Sequence, residues 1–170
     1  MKYTFRLLAI LTVLISSAVV EGYARYNSFR SKDGILYFFN PQKLNVLENI
    51  KSFEYDMTML TWTDSVTINF SIVSESMAMP TDFVISSGES KFVCHDYSLL
   101  FVDLEKNRYK LRMTSRFPLQ EIEKIIGCPT PPVFEFRQDG IERAASYKNK
   151  SWKTDREKIK QVMGLYYQTR

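Results

Sequence analysis

Between Phe53 and Ile72 the chain alternates apolar and polar residues with a period of two, in two successive stretches. Phe53, Tyr55, Met57 and Met59 are interleaved with Glu54, Asp56 and Thr58. After Thr63-Asp64-Ser65 the pattern resumes as Val66, Ile68, Phe70 and Ile72 against Thr67, Asn69 and Ser71. Successive side chains on a strand point to opposite faces, so each stretch has one face for a core and one for water. Joined by a short polar turn, they predict an antiparallel hairpin. A chain built round such a hairpin continues most simply as an antiparallel sheet with one wet side.

The flanking sequence supplies partners for that hairpin. Ile35 to Phe39 is a compact apolar run after the Asp33-Gly34 turn signal and reads as a buried strand halted by Asn40-Pro41. Leu44, Val46, Leu47 and Ile50 have loose helical spacing and predict a turn or short helical piece. Further hairpins are expected around Ser87-Gly88-Glu89, Glu105-Lys106-Asn107 and Asp139-Gly140. Pro118, the stripe Leu119, Ile122, Ile125 and Ile126, and Gly127 predict a short helix over 118–127. Thr154 with Glu157 matches a capping box ahead of Ile159, Val162, Met163 and Tyr166, which predicts a C-terminal amphipathic helix. The fold class is therefore mainly β: antiparallel hairpins forming a sandwich or a partly closed barrel, with two helices covering an end or an edge. An open α+β sheet with both helices on one face is the alternative.

The first residues read as an address. Lys2 and Arg6 precede Leu7 to Val20, an apolar run broken only by Thr12, Ser16 and Ser17. It is shorter than the ~20 helical residues that a bilayer core requires. Small residues at Gly22 and Ala24 favour cleavage after Ala24. Residues 1–24 are thus expected to be a secretory signal, leaving 25–170 as one exported domain, periplasmic or extracellular, with no transmembrane span. The net charge of +4 is uneven: residues 143–170 carry the basic excess and the body before them is mildly acidic. Export and an acidic body both disfavour nucleic acid as a partner.

Export also bears on the two cysteines. In an oxidising compartment Cys94 and Cys128 are expected to form one disulfide, provided their Cα atoms come within bonding range. Cys94-His95-Asp96 brings a nucleophile, a base and a carboxylate together, and it holds the sole histidine. Neighbours on a strand face opposite ways, so Cys94 and His95 are poorly placed to share a proton. Neither cysteine has the short spacing of a zinc site, and no cofactor motif is present. The carboxylate pairs Glu54 with Asp56 and Glu121 with Glu123 read as solvated faces of a strand and a helix.

Arg108, Lys110 and Arg112 share one strand face, which Arg116 extends. They are candidates for gripping an anion, weighed against ordinary pairing with acidic neighbours. Trp62, near a hairpin tip, is a candidate exposed aromatic. Without a catalytic constellation, the expectation is a non-catalytic protein that binds a protein or glycan partner through its surface. One alternative is a small-ligand carrier whose barrel closes around Phe53, Tyr55, Phe70 and Phe101, which requires a cavity of several hundred Å³. The other is an envelope hydrolase using Cys94 with His95.

Overall fold

The computed structural model describes residues 26–169 other than 49 and 95. In chain order these form β1 (Tyr26–Ser31), β2 (Gly34–Glu48), β3 (Ser52–Leu60), β4 (Ser65–Ser74), β5 (Thr81–Ser87), β6 (Ser90–Val93), β7 (Tyr97–Glu105), β8 (Arg108–Pro118), α1 (Leu119–Gly127), β9 (Val133–Gln138), β10 (Ile141–Ser146) and α2 (Asn149–Thr169). The strands hydrogen-bond in the order β6-β5-β9-β10-β2-β3-β4-β8-β7, all antiparallel, and β1 pairs with the first half of β2. The sheet curls into a half-barrel, so the mainly β, antiparallel class read from the alternation holds. The expected signal segment, 1–24, lies outside the described residues.

The alternating stretches pair as the pattern requires. Tyr55 stands opposite Phe70 and Met57 opposite Ile68, all buried, while Thr58 and Thr67 oppose each other on the outer face. The tight turns follow from residues that accept a left-handed backbone: Asp139 and Gly140 have φ of 54° and 74°, which suits a two-residue hairpin loop between β9 and β10.

Three local readings need correction. Residues 26–31, for which the sequence carried no strand signal, form β1, which pairs with Gly34–Phe39. Asn40-Pro41 does not halt the next strand, and the stretch behind it is not helical: β2 runs on to Glu48. The register of β2 on β3 shifts between Phe39 and Gln42, so Pro41 sits in a bulge, where no ladder N–H is required. Gln42 Nε2 donates to Asn40 O at 2.8 Å across that bulge. Beyond it β2 leaves β1 and pairs with β10, so the bulge is where the sheet changes partners. At the other end of the chain α2 begins at Asn149, upstream of the capping box. Thr154 Oγ1 instead donates to Lys150 O at 3.3 Å within the helix.

The concave face is filled. Phe70 stacks on Phe83 with ring centroids 4.2 Å apart, Phe53 lies 5.3 Å from Phe134, and Tyr55 lies 5.1 Å from Phe134. Both helices contribute to the same core, through Leu119, Ile122, Ile125 and Ile126 of α1 and Trp152, Ile159, Val162, Met163 and Tyr166 of α2. Each large apolar side chain removed from water contributes about 1.5–3 kcal/mol before conformational entropy is subtracted. The helices are also tied to each other and to the sheet. Arg156 Nε and Nη2 donate to Ile126 O and Gly127 O at 2.8 and 3.0 Å, placing a cation on the carbonyl end of α1. Tyr166 Oη donates to Thr63 O in the β3–β4 turn at 2.5 Å.

Candidate functional site

The two cysteines are not bonded and do not lie near each other, which overturns the expected disulfide. Cys128 follows α1, and a Cβ on Gly88 at the tip of the β5–β6 turn would stand 2.9 Å from its Sγ. Cys94 lies at the other end of that hairpin, where its N–H donates to Phe83 O. At about 3.3 Å per strand residue the hairpin separates the two by well over the ~7 Å Cα distance a disulfide tolerates.

Cys94 is also badly placed as a nucleophile. It is buried, with Sγ 2.6 Å from Ser115 Oγ and 3.8 Å from Asp96 O. Burial pushes its thiol above the ordinary value, against the hydrogen bond with Ser115, so the thiolate is disfavoured. Its proposed base, His95, is outside the described residues. Cys128 is shifted the opposite way: the Ser87 hydroxyl lowers its pKa first, with Thr130 and the Arg156 charge adding to the effect. Among the described residues no group of three or more His, Cys, Asp or Glu side chains is placed to hold a metal ion.

The four basic candidates do not form one site. Arg112 is committed to the sheet: it pairs with Asp56, and its Nη1 donates to Ser71 Oγ at 3.0 Å. Asn69 Nδ2 completes the cluster by donating to Asp56 Oδ1 at 2.8 Å. Asp56 is therefore not a solvated carboxylate as its alternation suggests; it is fully buried, at the β3 position across from the β2 bulge. Lys110 pairs with Glu105 at 3.3 Å. Arg116 is exposed beside Asp96, Ser98 and Thr114 in an open cavity of about 450 Å³. Arg108 turns to the mouth of the half-barrel, where Lys51, Glu75 and Arg143 line the same cavity. Of the other carboxylate pair, Glu123 accepts a hydrogen bond from Tyr167 Oη.

The carrier geometry is not met either. Phe53, Tyr55 and Phe70 are packed into the aromatic core, whereas Phe101 lies on the outer face opposite Arg112 and is 47% exposed. Trp62 is 46% exposed, and its ring covers Gly34: a Cβ there would stand 2.8 Å from Trp62 Cε3.

Two features escaped the sequence reading. The first is β7, one end of the strand order. Leu99, Leu100, Phe101, Val102 and Leu104 are exposed by 38–61%, on both faces of a strand whose second edge has no neighbour among the described strands. A register shift between Leu99 and Phe101 marks a bulge at its centre. The second is Arg143, counted with the basic tail but standing on the inward face of β10 between Ile141 and Ala145. Comparison with protein-family models, curated proteins and solved structures found no match to this chain.

Proposed function

We propose that this is an exported, non-catalytic binding protein, and that it engages an extended segment of a protein partner along β7. The observation that carries the reading is the apolar edge itself. Edge strands are ordinarily shortened, charged or covered, because their free N–H and C=O groups pair with any extended chain. β7 is instead long and exposes a run of five large apolar side chains, a composition suited to strand addition. The filled concave face and the buried, deactivated Cys94 support action from the surface over carriage or catalysis. Residues 1–24 supply the argument for export.

The occupant follows from charge and register. Asp103 and Glu105 lie near one end of β7, which carries no cation of its own, so the segment that fits is apolar with a basic residue facing Asp103. A second copy fits poorly. Antiparallel self-pairing would be centred on Phe101, where both strands carry the bulge, and parallel pairing would oppose Asp103 to Asp103.

Photo-crosslinking from a benzoylphenylalanine at Leu100, in the cells that make the protein, tests this. The expected result is a discrete adduct that maps to an apolar segment with an adjacent Lys or Arg and is lost in Phe101→Lys/Leu104→Lys. Crosslinking to another copy, or an adduct indifferent to those substitutions, overturns it.

A further inference from the structure

The mouth of the half-barrel holds a cation with nothing to hold. Arg143 is 9% exposed, yet its Nε has no hydrogen-bond partner, and it makes no ion pair among the described residues. Burying an arginine is costly unless its charge and its N–H groups are matched, so an unmatched one is a strong pointer to a missing anion. The alternation of β10 sends it inward: it stands opposite Phe136 of β9, between the inward positions of Ile141 and Ala145. There it lines a cavity of about 400 Å³ with Lys51 from the β2–β3 turn, Arg108 from the start of β8, Glu75, Ile50 and Ile141. Three cations thus face one carboxylate, across two isoleucine side chains. None of these residues belongs to β7, so the site stands apart from the proposed partner surface.

We propose that this mouth binds a small organic oxyanion, a carboxylate or phosphate ester carrying a short apolar group. The planar guanidinium of Arg143 is matched to two oxygens of such a group, and Lys51 and Arg108 add positive potential that needs no fixed hydrogen-bond orientation. Ile50 and Ile141 set the preference for an apolar tail over a bare ion. Arg143 also borders an outer concavity, but there Asp82, Glu135 and Glu142 balance Lys91, Arg137 and Arg143, and Arg137 already pairs with Asp82 and Glu142, so the positive excess that recruits an anion lies at the mouth.

The test uses the folded domain, residues 25–170, titrated with butyrate, butyl phosphate and inorganic phosphate against chloride at equal ionic strength, read by amide resonance shifts. Saturable shifts at Lys51, Arg108 and Arg143 with butyrate or butyl phosphate are expected, and the tighter of the two identifies the headgroup. Arg143→Met should weaken that binding by at least about tenfold, the loss of a charge-assisted bidentate contact. Arg116→Gln, outside the cavity, should leave it unchanged. The free Arg143→Met protein should melt no lower than the parent, because it loses an uncompensated buried charge. If that variant unfolds, Arg108→Gln at the same cavity serves instead and should weaken binding several-fold, in line with the loss of one charge contact. Absence of saturable shifts, equal shifts in chloride, or equal affinity in the Arg143 or Arg108 variants overturns the proposal.

Discussion

Replacing Arg112 by Met tests whether this residue belongs to the sheet or to a ligand site. Asp56 is fully buried, and its carboxylate is held by Arg112 and by Asn69 at 2.8 Å. Removing Arg112 leaves that charge beneath the surface with Asn69, and it also frees Ser71 Oγ of its 3.0 Å partner. Breaking one side of a buried pair costs about 3–5 kcal/mol. Arg112 is 22% exposed, so water already screens part of its charge and can enter the space it vacates. Discounted for that, the loss is about 2–3 kcal/mol. At roughly 2–4 °C per kcal/mol for a domain of this size, Tm falls by about 5–10 °C. Asp56→Leu combined with Arg112→Met should recover most of the loss, because buried pairs exchanged for apolar residues are often close to neutral. Urea unfolding of the four members of this cycle at constant m-value gives the coupling directly. A loss below about 0.5 kcal/mol for Arg112→Met, the level of an ordinary surface substitution, refutes the structural role.

Other consequences are as direct. Phe83→Ala removes a fully buried ring stacked 4.2 Å from Phe70 and should cost about 3–5 kcal/mol by thermal or urea unfolding, with Trp62→Ala costing far less. Gly34→Ala should destabilise strongly, since φ is +142° and the added Cβ would stand 2.3 Å from Thr61 Oγ1; a neutral melting temperature would show that the β1–β2 turn shifts freely. Alkylation with iodoacetamide should modify Cys128 before Cys94 and at lower pH, because the thiolate forms earlier where the pKa is lowered and later where burial raises it. Non-reducing peptide mapping of the same sample should find no Cys94–Cys128 bond.

Local pattern carried the hairpins. Alternation set which residues of β3 and β4 face inward, and Asp139-Gly140 placed the last turn, because each depends only on neighbours in the chain. Where a distant partner decides, local signals misled. Pro41 breaks a strand only where the ladder needs an N–H at that position, and the bulge in β2, between its segments paired with β1 and with β10, removes that need. Thr154 and Glu157 imitate a helix start, yet burial of Trp152 and its Nε1 bond to Cys128 O anchor the turn before them. That the apolar run of β7 lies on an edge was not legible, because strand order is a property of the whole sheet. Arg143 had a visible signal in its own strand: it shares the parity of Ala145, opposite the apolar positions of β9, so its inward direction followed once β10 was recognised. The failed disulfide has the same origin, since two cysteines and an expectation of export say nothing of the hairpin that keeps them apart.

Hydrogen exchange along β7 tests the central claim most directly. In the free domain the β7 amides not engaged by β8 should exchange rapidly, while those of β3 and β4 at the centre of the sheet stay protected. On addition of the crosslinked partner's segment as a peptide, protection should appear along Leu99 to Leu104. Protection of the free edge before any partner is added, or a bound peptide that leaves these amides exchanging as before, would contradict strand addition at β7.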